Sequence, residues 1–158
     1  MSQPDAIDGF RFAREGGKLR GSLDLRELPR LAETPCKTSG IDYFLRGGKN
    51  IAGKASIQVL ASGRLELVCQ RCLDRLEFVL ELDVELELCG DMKFITEAED
   101  EVDRVLAETE MSVARLVEDE VILILPQVPR HEDCETSELN ARARKASPFG
   151  VLAKLKKA

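Results

Sequence analysis

The chain has 158 residues and 44% hydrophobic content, enough for one domain with an ordinary core. A net charge of −6 and a pI near 5.0 exclude a uniformly basic nucleic-acid-binding surface, because neutralising phosphates needs surplus Lys and Arg. Aromatic residues are only 4%, with no Trp, which argues against a stacking platform for single-stranded bases.

Residues 1–17 carry early acids and no apolar stretch, so they do not read as a secretory signal. Phe10 and Phe12 alternate there as a candidate edge strand in a loosely ordered segment. The longest apolar run, Val121–Leu125, is five residues, far short of the roughly 18 that span a bilayer. No membrane association and a cytoplasmic location are expected, with thiols kept reduced. Five cysteines, an odd number, favour metal binding or burial over a disulfide framework.

Lys18–Leu25 alternates as a strand, with Leu19, Gly21, Leu23 and Leu25 on one face. Asp24 can cap a short helix over 25–32, which Pro29 interrupts. Residues 34–40 form a turn-rich loop holding Cys36. Residues 41–46 read as a strand, and Gly47-Gly48-Lys49-Asn50 as a turn.

The next alternation is clearer. Ile57, Val59, Ala61, Leu65, Leu67 and Cys69 share one face at period two, with a bend or bulge at Ser62-Gly63. After Cys69-Gln70-Arg71-Cys72 the pattern resumes with Leu76, Phe78, Leu80, Leu82, Val84, Leu86 and Leu88. Glu77, Glu81, Asp83, Glu85 and Glu87 line the other face. This is a long antiparallel strand with one buried and one acidic face. The acids read either as a solvated face that resists edge pairing or as a docking surface for a basic partner.

Residues 97–103 form an acidic run, best read as part of a flexible loop at about 96–104. From 97 to 120 ten acids face two arginines, a local charge of −8. A helix is expected near 112–124, N-capped by Ser112 and with Val113, Leu116, Val117, Val121 and Ile124 on one face. Its β-branched end also fits a strand, and Pro126 stops either element. Pro126-Gln127-Val128-Pro129-Arg130 is a stiff connector that delivers His131 and Cys134. Residues 141–158 carry six positive charges and no acidic side chain. Pro148–Leu152 gives this arm an apolar anchor before a short basic helix.

Cys69, Cys72, His131 and Cys134 are candidate metal ligands, because thiolate and imidazole suit tetrahedral zinc. Each half has a two-residue spacer, but 58 residues separate Cys72 from His131, and spacing alone does not bring the halves together. Three readings therefore stand open: one structural zinc, thiols without metal, and a redox pair. The motif does not open a helix in a βαβ unit, as a thioredoxin-like pair would. Arg71 and Arg75, with Arg64, form either a basic patch for a phosphate or acidic partner, or ordinary turn charges. The arm residues Arg142, Arg144, Lys145, Lys154, Lys156 and Lys157 are candidate RNA or partner contacts, or a helix folded back on acidic parts of the chain. Any His-dependent catalytic arrangement must use His131, which has no nucleophile turn nearby. No phosphate loop or dinucleotide fingerprint is present, and no small-molecule substrate is expected.

Three segments carry a family resemblance. Leu67-Val68-Cys69-Gln70-Arg71-Cys72-Leu73 is similar to a Cys-x-Arg-Cys-Leu signature. Residues 116–131, acidic then apolar and ending in Leu125-Pro126-Gln127-Val128-Pro129-Arg130-His131, resemble a Leu-Pro-x-x-Pro-x-His segment. Pro148–Lys156 is similar to a proteobacterial C-terminal ending. Together they resemble the YceD family, the large ribosomal RNA subunit accumulation proteins of bacteria and plastids. The resemblance implies a cytosolic, non-enzymatic factor supporting synthesis, processing or stability of large-subunit (23S) rRNA, and it supplies no catalytic residues. Some relatives carry more cysteines where this chain has His131 and Cys134.

The expected fold is therefore one α+β domain over 1–158, dominated by antiparallel strands. Its core spans about 18–134, with a helix near 112–124 and a basic, short-helical arm over 141–158. The expected partners are rRNA or a pre-ribosomal particle, and a basic ribosomal protein. The alternatives are a protein-only chaperone or adaptor for such a protein, and a zinc or thiol protein with a redox role.

Overall fold

A computed structural model describes residues 5–133. Five strands form one sheet in the order β2 (Lys18–Leu23), β3 (Lys37–Lys49), β4 (Ala55–Val68), β5 (Arg75–Cys89) and β6 (Arg104–Leu106). The first four pair antiparallel, and β6 runs parallel to β5. A two-residue strand β1 (Ala6–Ile7) pairs antiparallel with β7 (Met111–Ser112). Helices α1 (Gly9–Arg14), α2 (Pro29–Ala32) and α4 (Val113–Ile124) pack on the sheet or on each other, and a short α3 (Lys93–Thr96) sits beside β6.

The period-two pattern read from the sequence sets the layers. Ile41 and Leu45 of β3, Ile57, Val59 and Leu65 of β4, and Leu80 of β5 all point to one side and are almost fully buried. Fully burying each contributes about 1.5–3 kcal/mol. The other face exposes Glu77, Glu81, Asp83 and Glu85 of β5. The long β4–β5 hairpin pairs in unbroken register from Ser56↔Glu87 to Val68↔Arg75.

Helix α4 forms where its apolar periodicity places it. The Ser112 hydroxyl accepts from Arg115 N–H at 3.3 Å, and Val113, Leu116, Val117 and Val121 are buried on one side. Across the chain, buried Glu118 accepts from Arg30 N–H (2.8 Å), Leu31 N–H (3.0 Å) and Arg30 Nε (3.1 Å). That carboxylate satisfies first-turn amides of α2 from a distant helix, which fastens α2 to α4.

Five local expectations are corrected. Phe10 and Phe12 lie in helix α1, not in a strand, because the Asp8 side chain accepts from Arg11 N–H at 2.9 Å and caps it. Residues 25–32 split into a 3-10 turn (Leu25–Glu27) followed by α2, which Pro29 starts rather than interrupts. Strand β3 begins at Lys37, inside the expected loop. Gly47 and Gly48 belong to β3 rather than to a turn; the turn is Asn50–Lys54, where Asn50 Oδ1 accepts from Ala52 N–H at 3.0 Å and Lys54 N–H at 2.9 Å. Gly47 is required because α1 lies against it: a Cβ there would sit 2.3 Å from the Phe12 carbonyl oxygen. The expected bulge near Ser62-Gly63 falls on the partner strand, as a register shift between Thr38 and Ile41.

Candidate metal centre

The β4–β5 hairpin ends in a tight turn made by the Cys-x-x-Cys motif. Leu73 N–H donates to the Cys69 carbonyl at 2.9 Å, and Cys69 N–H to the Asp74 carbonyl at 2.9 Å. Leu73 closes the turn with a left-handed backbone (φ 65°), a conformation that costs a non-glycine residue about 1–2 kcal/mol. This places Cys69 at the floor of the turn, fully buried, and Cys72 above it, half-buried.

The connector after α4 returns to the same place. Gln70 N–H donates to the Pro129 carbonyl at 2.8 Å, pinning the Pro-x-x-Pro segment beside the turn. His131 then reaches in: Nδ1 lies 3.4 Å from Cys72 Sγ, and Nε2 lies 2.8 Å from the Arg75 carbonyl oxygen. A carbonyl can only accept, so Nε2 carries a proton, and in the neutral imidazole Nδ1 then presents its lone pair toward Cys72. The ligand atoms of Cys69, Cys72 and His131 all fall within 4.8 Å of one another. His131 therefore meets both cysteines of the turn.

The electrostatics favour a thiolate. Burial pushes the Cys69 thiol up, but the backbone amides of Cys72, His131 and Arg71 and the Cys72 side chain outweigh it and hold Cys69 at about 5. Of these, Arg71 N–H lies 3.4 Å from Cys69 Sγ. Cys36 and Cys89 lie elsewhere and are buried, and burial pushes the Cys36 thiol up.

The other candidate residues fare differently. Arg75 pairs with Glu66 at 3.4 Å and Arg64 with Glu77 at 3.3 Å, so much of the basic patch beside the turn is balanced by neighbouring acids. Cys134 and the arm residues Arg142, Arg144, Lys145, Lys154, Lys156 and Lys157 lie outside the described residues.

Sequence reasoning missed a second constellation at the opposite end of the hairpin. Glu87, 4% exposed, meets Lys54 Nζ at 2.8 Å, Asn50 Nδ2 at 2.9 Å and Arg104 Nε at 3.1 Å. Arg104 also holds Asp100. The hydrogen bond from Lys54 leads in keeping the Glu87 carboxyl below its usual range, against the opposing effect of burial and with help from Asn50 and Arg104. In sequence Glu87 is one more acid in an alternating series, and nothing local distinguishes it.

A mostly antiparallel sheet with packed helices and a thiol–imidazole cluster at a hairpin turn defines a small α+β protein. The family model described as "Large ribosomal RNA subunit accumulation protein YceD" matches residues 57–156, and the chain belongs to that family. A relative of that name from Haemophilus influenzae is 26% identical over 170 aligned positions, covering 97% of this chain and 95% of the relative. No solved structure matches. The matched region contains the turn, His131, Cys134 and most of the arm. No helix among the described residues is long and apolar enough to cross a membrane.

Proposed function

We propose that this chain is a cytoplasmic ribosome-biogenesis factor that supports synthesis, processing or stability of the 23S rRNA by binding rather than catalysis. The observation that carries this reading is the family match over residues 57–156, whose description names large ribosomal RNA subunit accumulation. The partner is rRNA or a pre-ribosomal particle, engaged in two places. The arm over 141–158, with six positive charges, contacts RNA phosphates, together with Arg71 and Arg75 at the turn. The exposed acids Glu77, Glu81, Asp83 and Glu85 receive a basic ribosomal protein. The Cys69–Cys72–His131 cluster shapes the hairpin turn that carries Arg71 and Arg75, and it suits one zinc ion.

Removing residues 141–158 tests the division of labour. The truncated protein is expected to lose association with precursor particles, and the full chain's association is expected to weaken steeply with salt. Normal co-sedimentation of the truncated protein would remove the arm from the contact. A second reading, a protein-only chaperone for a basic ribosomal protein, is supported by the net charge of −6 and the exposed acidic strand. Crosslinking to RNA in cells separates the two: rRNA crosslinks support the first, and crosslinks to protein alone support the second.

A further inference from the structure

The outer face of the sheet is divided by charge. Lys18 lies directly opposite Arg46, Arg46 opposite Gln58, and Gln58 opposite Glu85, so one row crosses four strands from cations to an acid. The next row runs Arg20, Phe44, Leu60, Asp83. Lys18, Arg20 and Arg46 are exposed, while Leu23, Ile41 and Leu45 are buried on the other side. The two ends of the rows do not neutralise one another. Strands lie about 4.8 Å apart, so at the backbone Arg46 is about 10 Å and Lys18 about 14 Å from β5, beyond the Debye length of about 8 Å at physiological salt. The acids turn instead to β4: Gln58 Nε2 donates to Asp83 at 2.8 Å, and the Ser56 hydroxyl to Glu85 at 2.9 Å. Lys37, Arg64 and Arg75 on the same face are paired with Glu66 or Glu77. Among the described residues no ion pair reaches Lys18, Arg20 or Arg46. Like charges directly opposite, as Lys18 and Arg46 are, destabilise a sheet. Charges on an edge strand deter unwanted pairing, but that use does not extend to Arg46 on the interior strand β3.

We infer that Lys18, Arg20 and Arg46 form a contact for the phosphate backbone of RNA, separate from the contacts named above. This rests on the ribosomal reading and adds an anchoring point on the sheet itself. Cβ atoms of directly opposite residues lie about 4.5–5.5 Å apart, so Lys18 and Arg46 can share one phosphate. Arg20, two residues along β2 and about 6.8 Å away, takes the next. A phosphate held between the two opposite cations removes their mutual repulsion. Beside them a shallow depression of about 460 Å³ is lined in part by Arg20, Phe44, Leu60 and Ser62, with Asp42 as its one acid. It offers the sugar joined to those phosphates an apolar floor and a hydroxyl. Three cations against one acid set this patch apart in a chain of net charge −6. A second copy of the chain, laying its β5 acids on the stripe, fits less well. Such an interface would have only Phe44, Leu60 and Val79 for its centre, and the centre of a stable interface is apolar and depleted in charge.

The test uses the full chain and two probes, fluorescein-labelled poly(U) and purified 23S rRNA, each titrated across a range of salt. The triple variant Lys18→Gln, Arg20→Gln, Arg46→Gln should bind poly(U) roughly 10- to 100-fold more weakly near 0.1 M salt. Its log–log salt slope should be smaller by about 2, the loss of three single-strand phosphate contacts. Binding to 23S rRNA should weaken in the same sense. A control triple variant, Arg14→Gln, Arg26→Gln, Arg115→Gln, removes the same charge from exposed sites elsewhere and should keep the wild-type slope. Circular dichroism and the melting temperature of the first variant should match or exceed the wild type, because the repulsion between Lys18 and Arg46 is gone. If the wild type binds RNA and the first variant binds with the same affinity and slope, the contact is overturned and the ribosomal reading stands. If the wild type binds neither probe, direct RNA contact fails as a whole. Equal weakening in the control would make net charge the cause and overturn a local contact. A wild-type dimer in sedimentation velocity that dissociates in the first variant, with poly(U) binding unchanged, would assign the stripe to a second copy instead.

Discussion

The two ends of the β4–β5 hairpin both hold a distant piece of chain, and they do it with opposite chemistry. At the Glu87 end one carboxylate meets two cations and an amide, so charge and hydrogen bonds balance within the protein. At the Cys69 end the three converging side chains are two thiols and an imidazole, all of them metal-binding donors. One end is a finished ion-pair network; the other has the composition of a coordination shell. The difference teaches that burial and proximity alone do not mark a functional centre, since both ends have them. The donor types separate the two.

The largest expected effect comes from breaking the thiol end. Cys72→Ser should abolish zinc binding and lower unfolding stability by about 4 kcal/mol when free zinc stands about 1,000-fold above the wild-type dissociation constant. Chelator should destabilise the wild type by the same amount and leave the variant unchanged in denaturant titrations. At the other end, Glu87→Ala should cost about 3 kcal/mol, because it strips a buried carboxylate from Lys54 and the nearly buried Arg104. That loss should be the same with and without chelator. Equal chelator sensitivity of the two variants would collapse the distinction between the ends.

Acid sharpens the same contrast. Glu87 is held below its usual range, and Asp100 is drawn down to about 2, chiefly by its hydrogen bonds from Arg104. Depressed carboxylates give their full stabilisation above the unfolded value near 4 and lose it as pH falls through the folded value. In chelated protein followed by circular dichroism, the part of the acid loss that these carboxylates carry should therefore fall between about pH 4 and 2. Glu87→Gln should flatten that acid dependence. The smallest effect belongs to the turn itself: Leu73→Gly relieves the left-handed strain at an entropic cost, and should stabilise by about 0.5 kcal/mol in thermal unfolding.

Much of the sheet was legible in the sequence because its two faces differ so sharply. The alternation from Leu76 to Leu88 against Glu77 to Glu87 fixes both strand and orientation. Helix α4 was legible through Ser112 and its apolar spacing. Gly47 was not, because Gly-Gly-Lys-Asn has the local chemistry of a turn, and only the approach of α1 makes glycine necessary inside a strand. Phe10 and Phe12 misled because two alternating residues carry little periodic information, while Asp8 carried the cap. At the candidate metal centre the donor types and their paired spacing were readable. The meeting of Cys72 with His131 was not, since 58 intervening residues say nothing about distance in space.

The bond from His131 to the Arg75 carbonyl also has a consequence in time. A chain made from its N-terminus exposes β2 to β5 well before residue 131, and the antiparallel sheet pairs neighbours in sequence. The thiols of the turn are thus in place while the imidazole is still unmade. Closing this long loop adds little entropy cost beyond that of a loop half its length, so the closure is late rather than difficult. The cluster acts as a record of completion, because a chain that stops after α4 can build the sheet but cannot close its last contact.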